Sequence, residues 1–541
     1  MHNIDRTSRR QYYKSMKTLV STQTMESIDS KAQEEYAVSG LILMEQAGIK
    51  GWQAFLNSRQ TCSPALGQVV FVVGGGNNGG DALVMAREAY FSGLKNFSIL
   101  LFGSNISYAC SIQRAIAEKY GFRMYEAVNL EGALSEVTMR LLSEADLIVD
   151  GIAGTGLRGV LRGAVAEVVK LINTQKKRGV QIFSIDIPSG CGDSLPVGAM
   201  RVLADTTVTM GLTKAAAYHP LCRAGWGNIS CVNPSFPPQL LQESVPVATL
   251  STAKELKLTS LGEDTYKNKR GHLALFAGSL AYTGAARLAA RGAFHSRCGL
   301  VTLCCDQEVA AIAATETASI IIRPIEKNMV ISASKLGEKY QAIAAGPGWG
   351  EGHEDQLIEL MNSQLPTVLD ADAIATFANV VVDHRVQGTA HGPLILTPHP
   401  GELHRMLETL HMPLLAQEIG PLGTPESFVE ALKHISETLE CVLVYKSHVI
   451  WIADGRTIGK PPIVVDGMNN AMGVAGSGDV LTGIIGALLA QGYDALEAAH
   501  TGVLIHQAAG LAAREENGWF DSEILVGQVG VVCRHAEMGT A

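Results

Sequence analysis

Short apolar runs of strand length alternate with longer amphipathic stretches through most of the chain. VVFVV (69–73), FSILLF (97–102), ADLIVD (145–150), VQIFSID (180–186), TTVTM (206–210) and NISCV (228–232) are rich in β-branched and aliphatic residues. A Gly-rich turn follows the first run, and a helix is expected from about Gly80 through Tyr90. This βαβ rhythm predicts a parallel sheet covered by helices on both faces.

The rhythm breaks at NPSFPPQLLQESVPVATL (233–250), which carries four prolines and no helical period. It then restarts with HLALFAG (272–278), GLVTLCC (299–305), YQAIAAG (340–346), LPTVLDA (365–371), GPLILTP (392–398) and CVLVYK (441–446). Two tandem α/β domains follow, without a solenoid-type repeat. The expected layout is a polar extension at 1–17, a domain over 18–245, a linker at 246–255 and a second domain over 256–541.

Composition agrees with this layout. A chain of 541 residues exceeds one ordinary core, and 47% hydrophobic with 18% charged residues suits packed domains. The net charge of −9 and the absence of a long basic block disfavour nucleic acid as a partner. No apolar run reaches membrane-spanning length, and the first residues lack a secretory apolar core. The ten cysteines form no C-x-x-C pair, so free thiols in a reducing cytoplasm are expected. A homo-oligomer is also expected.

Chemistry concentrates first after residue 73. Gly74, Gly76 and Gly79 have G-x-G-x-x-G spacing between a strand and a helix, where free N–H groups favour a phosphate. FSILLF ends without the acid that a dehydrogenase uses on the ribose. On the turn alone, a phosphate loop and a structural turn capped by Asp81 are equally consistent. Two more strand ends carry Asp150, before GIAGTGLRG, and Asp186, before IPSG. Parallel strands end on one edge, so Asn78, Asp150, Asp186 and Ser189 can converge there, and an oxygen-rich cluster suits a hard cation.

Together with LMEQAG (43–48), GGGNNGGDALV (74–84), DGIAGTGLRG (150–159), IDIPSG (185–190) and GLTKAAAYHP (211–220), these pieces make the N-terminal half resemble the NAD(P)HX epimerases. The resemblance implies a Rossmann-like three-layer sandwich. It implies substrate contacts from Asn77, Asn78, Gly79, Gly80 and Asp81 and from Gly154, Thr155, Gly156, Leu157, Arg158, Gly159 and Val160. It implies a potassium ion at Asn78, Asp150 and Ser189, and Asp186 as the acid/base group against the hydrated nicotinamide. Lys214 is a further polar group for that pocket. Gln46 and Ala82 stand where the family more often has Arg and Gly. Ring opening and loss and return of water are both compatible with such an epimerisation.

In the second half, Gly476-Ser477-Gly478-Asp479 opens an apolar helix running to about Ala490. Small residues there expose N–H groups to a transferring phosphoryl, and Asp479 can take a proton from a substrate hydroxyl. Neither a P-loop nor an H-E-x-x-H motif is present. With AGSLAYTGAA (277–286), GPGWG (346–350), LDADA (369–373) and TPHPGE (397–402), this helix start makes residues 250–535 resemble the ribokinase-like NAD(P)HX dehydratases.

That resemblance implies a ribokinase-like α/β domain with a mostly parallel sheet. Ala285, Gly348, His399 and Asp479 would touch the hydrated dinucleotide. Lys446, Ser447, His448, Val449, Ile450 and Gly478 would touch the nucleotide, ADP with Mg²⁺. Asn470 and Gly473 stand where the family more often has Pro and Ala. The implied activity is repair of NADHX and NADPHX, with epimerisation in one half and ADP-dependent dehydration in the other. The rival reading is a small-alcohol or vitamin-precursor kinase fused to a nucleotide-binding domain.

Overall fold

A computed structural model describes residues 16–59, 66–103, 105–315, 318–326, 329–383 and 391–539. Most of the expected polar extension lies outside the described residues. Its end is structural, since Met16 is buried and Lys17 opens a strand. The chain forms two compact units. One comprises Thr18–Ala248 together with Gly420–Phe428, and the other comprises Thr249–Ile419, the described residues from Val429 onward, and Met16 with Lys17.

In the first unit the strands are β1 (Lys17–Val20), β2 (Val69–Val73), β3 (Phe97–Leu101), β4 (Met124–Glu126), β5 (Leu147–Gly151), β6 (Gln181–Ile185), β7 (Thr206–Met210), β8 (Thr213–Lys214) and β9 (Asn228–Val232). Seven of them form a sheet in the order β4-β3-β2-β5-β6-β7-β9, with every pairing parallel. Strands covered on both faces must be apolar throughout, and β2, β3, β5 and β7 are buried at every position. The chain leaves β2 for β3 on one side and later returns to β5 on the other. This switch opens a crevice at the strand C-termini.

The second unit contains β10 (Ala248–Ser251), β11 (His272–Phe276), β12 (Leu300–Asp306), β13 (Ile321–Ile325), β14 (Ala342–Ala345), β15 (Thr367–Leu369), β16 (Leu394–Leu396), β17 (Val442–Tyr445), β18 (Val449–Asp454) and β19 (Ile463–Asp466). Their order is β13-β12-β11-β14-β15-β16-β17-β18-β19-β10. Only β18 runs antiparallel, to both of its neighbours. Here the switch lies between β12 and β14, on either side of β11.

Ala248–Ser251 corrects the expected linker at 246–255. It is a buried strand, with Thr249 opposite Ile463 and Ser251 opposite Val465. Among the described residues, no helix is long and apolar enough to cross a membrane.

The apolar core of the second unit centres on the helix Ser477–Ala490, which is buried from Val480 onward and packs on the helix Thr283–His295. Backbone contact fixes the turn above it. Gly346 has φ +122°, and a Cβ there would lie 1.7 Å from the Asp370 carbonyl oxygen. Gly346→Ala is therefore expected to destabilise this unit by about 3 kcal/mol or more, read as a lower Tm.

Candidate active sites

In the first unit, the turn after β2 leads into the helix Asn77–Phe91, which starts without a side-chain cap. Its first turn is pressed against the strand end, since a Cβ on Gly79 would lie 1.9 Å from the Gly74 carbonyl. Only glycine permits that approach. A cavity of about 890 Å³ lies over this turn. Asn77, Asn78, Asp81, Gly154, Thr155, Gly156, Leu157, Asp186 and Lys214 line it. Gly79 and Gly80 are buried beneath it. Arg158, Gly159 and Val160 do not line it, and Arg158 instead pairs with Glu26 at 3.2 Å.

Asp186 follows β6 and takes the left-handed conformation, φ +64°. Its backbone N–H donates to Val208 O at 2.7 Å, and its carboxylate accepts from Met210 N at 3.1 Å and from the ammonium of Lys214. Lys214 is buried and also donates to Thr209 Oγ1 at 2.9 Å and to Met210 O at 3.2 Å. A left-handed non-glycine residue held by two elements is backbone strain at the mouth of a cavity.

Asp150, at the end of β5, is buried. It accepts from Ser184 Oγ (2.8 Å), Ser189 N (2.9 Å) and Ser189 Oγ (2.5 Å). Burial holds its carboxyl above the usual range, against these bonds. Asn78 is buried nearby, packed on Gly151 and Gly154, and among the described residues neither atom of its amide has a hydrogen-bond partner. A buried amide left unpaired costs about 1–3 kcal/mol, so this oxygen is well suited to receive a cation.

In the second unit, Gly476 has φ +89° and turns the chain into the helix that carries Asp479 in its first turn. His506 Nε2 bonds Ser477 O at 2.8 Å, and Ser522 Oγ donates to Ala475 O at 2.7 Å, so the loop is fixed from beneath. Burial pushes His506 down to about 4, which keeps the ring neutral. Burial pushes Asp479 up to about 7, helped by the carboxylates of Asp370, Glu402 and Asp372 and opposed by Lys446.

Asp370, left-handed Ala371 (φ +46°) and Asp372 follow β15. Asp370 is buried and binds the Lys446 ammonium and Thr482 Oγ1, the latter at 2.6 Å. Gly478 lies close by, as a Cβ there would be 3.3 Å from Lys446 Nζ. The Lys446 N–H donates to Pro398 O at 2.9 Å, which ties this strand end to the TPHPGE turn. His399 caps the helix Pro400–Thr409 through Nδ1, and its N–H donates to Glu402 Oε2 at 2.8 Å. Gly348 lies against Tyr282 and Ala285.

The structure thus gathers Gly478, Asp479 and Lys446 at one place, and Ala285 with Gly348 at the neighbouring strand ends. Half-buried Ser447 and exposed His448 lie between β17 and β18, whereas Val449 and Ile450 are buried in β18. Burial leaves only their backbone groups to face a nucleotide. Asn470 accepts from Arg514 at 3.1 Å.

Three site groups escaped sequence reading. Asp370 and Glu402 lie in the LDADA and TPHPGE segments, whose pattern alone assigns neither residue a role. Asp29 had none, because it reaches the first cavity from a helix nearly fifty residues before the Gly-rich turn.

Over 517 residues the chain is 31% identical to the bifunctional NAD(P)H-hydrate repair enzyme of Moorella thermoacetica, covering 92% of this chain and 93% of that one. The chain belongs to the family of bifunctional NAD(P)H-hydrate repair enzymes. The Coxiella burnetii member is 29% identical over 497 residues, covering 90% of this chain and 92% of its own. The family profile described as NAD(P)H-hydrate dehydratase matches residues 273–527, and that of the YjeF-related protein N-terminus matches 40–216. The ADP/ATP-dependent NAD(P)H-hydrate dehydratase of Bacillus subtilis, crystallised with ATP and Mg²⁺, is 25% identical. It has a TM-score of 0.44 and covers 53% of this chain and 98% of its own. As a member of the repair-enzyme family, the chain combines an epimerase and a dehydratase for hydrated NAD(P)H.

Proposed function

We propose that the cavity of the first unit exchanges the two epimers of NADHX and NADPHX, and that the glycine-rich helix start of the second unit dehydrates one of them with ADP. The observation that carries the second assignment is Asp479, a carboxyl poised near neutrality where a helix start can hold phosphate. Asp479 takes the proton of the C6 hydroxyl. The freed oxygen pair attacks the terminal phosphorus of ADP, and AMP leaves. The C6–O bond of the ester then breaks with its electron pair on phosphate, and loss of a C5 proton restores the ring double bond. Lys446, anchored by Asp370, meets the phosphate charge.

Four carboxylates against one lysine leave this site short of positive charge, which fits a Mg²⁺ ion carried on the phosphates. In the first unit, Asn78, Asp150 and Ser189 would hold K⁺. The ion would supply the missing partner of the Asn78 oxygen and fix the substrate loop. Supporting the epimerase assignment is the Asp186–Lys214 pair inside a cavity whose loops are glycine-rich.

The test is recovery of dihydronicotinamide absorbance from mixed NADHX epimers with Mg²⁺ and ADP, with ATP as a parallel arm. No recovery with either nucleotide contradicts the dehydratase assignment, and recovery of one epimer alone contradicts the epimerase assignment. The base must be ionised. The dehydration rate is therefore expected to fall as pH drops through about 7, the value to which burial raises Asp479. A rate independent of pH between 6 and 8 would contradict that role.

A further inference from the structure

Asp81 lines the same cavity as Asp186 but is held very differently. Asp186 is tied down by Lys214 and by the backbone of Met210. Among the described residues, neither a hydrogen bond nor an ion pair reaches the Asp81 carboxyl. The groups facing it are acidic or neutral. Asp29 comes from the helix Thr22–Glu34, Asp186 from the end of β6, and Cys110 from the helix Tyr108–Lys119. Glu26 lines the cavity as well, paired with Arg158, and the ammonium of Lys214 is spent on Asp186, Thr209 and Met210.

We propose that Asp81 is the proton donor of the epimerase site and that Asp186, paired with Lys214, is its proton-accepting counterpart. This rests on the epimerase reading of the cavity. Burial, with the charges of Asp186 and Asp29, pushes Asp81 well above the usual carboxylate range, as a donor requires. Burial likewise pushes Cys110 up to about 11, so the thiol adds no charge.

The step balances. The Asp81 proton passes to the C6 hydroxyl oxygen. The C6–O bond breaks with its electron pair on oxygen, releasing water, while the N1 lone pair forms an N1=C6 double bond. The resulting cation lies among carboxylates. Water then adds to C6 on the other face, the π pair returns to N1, and Asp186 takes the surplus proton. Exchange of that proton through cavity water restores Asp81.

The test follows epimer exchange in the full chain by chromatography, with NADHX and without nucleotide, across pH. Asp81→Asn is expected to lower kcat by about 10²–10³-fold, leave KM within about threefold, and abolish the alkaline limb of the parent's profile. Asp29→Asn is expected to move that limb to lower pH, because it removes a charge that raises Asp81. Asn is isosteric and breaks no bond here, so Tm should not fall. A kcat within about threefold of the parent's for Asp81→Asn, or a limb unchanged in both variants, would overturn the assignment. A parent that exchanges no epimers would instead sink the epimerase reading itself.

Discussion

Asp479→Asn should abolish ADP-dependent recovery of NADH while epimer exchange continues at the parental rate. The loss should reach about 10³-fold, within the range a positioned base contributes. The amide keeps the size of the carboxyl but cannot accept the hydroxyl proton. Stability provides the control. The folded carboxyl titrates near 7, above its unfolded value of 3.8. The folded state therefore holds a proton that the unfolded state releases between about pH 4 and 7, and this group's contribution to stability declines as pH rises through that window. Asn removes the penalty. At pH 8 the variant should melt no lower than the parent, so lost turnover with an unchanged or higher Tm assigns chemistry rather than folding. Recovery within tenfold of the parent would remove Asp479 from the base role.

Much of this was legible in the sequence because parallel sheets write themselves plainly. Strands buried on both faces read as short β-rich runs, and VVFVV and TTVTM match their observed strands residue for residue, as does NISCV, which is partly exposed at the sheet edge. Strand-end acids were visible for the same reason, since a polar residue closing an apolar run marks the sheet edge. Some short strands carried weaker signals. Met124–Glu126 is three residues long and partly exposed, and Ala248–Ser251 hides behind prolines. Pairing across distance was legible only as convergence on one sheet edge, as for Asp150 and Ser189. Nothing near Lys446 points to Asp370, 76 residues earlier, and nothing near Asp81 points to Asp29. Such contacts follow from strand order, which apolar periodicity does not encode. The orphaned Asn78 amide likewise emerges only once its neighbours are placed.

Asp186→Asn should produce the complementary phenotype. With Mg²⁺ and ADP, recovery of NADH should proceed on the accepted epimer and then slow to the uncatalysed rate of epimer exchange. The variant keeps the unusual backbone, since Asn tolerates φ near +64° better than most residues. It does not keep the charge. Lys214 is buried, and without the Asp186 carboxylate its acceptors among the described residues, Thr209 Oγ1, Met210 O and the introduced amide oxygen, are all neutral. Removing one partner of a buried pair costs about 3–5 kcal/mol, so the N-terminal unit should also melt earlier. A second substitution separates the two effects. Asp186→Asn combined with Lys214→Met removes the stranded charge and should recover much of the stability without restoring epimer exchange. Recovered exchange in the double variant would mean that Asp186 serves only to neutralise Lys214. Full recovery of both epimers by Asp186→Asn alone would assign the chemistry to another group in the cavity.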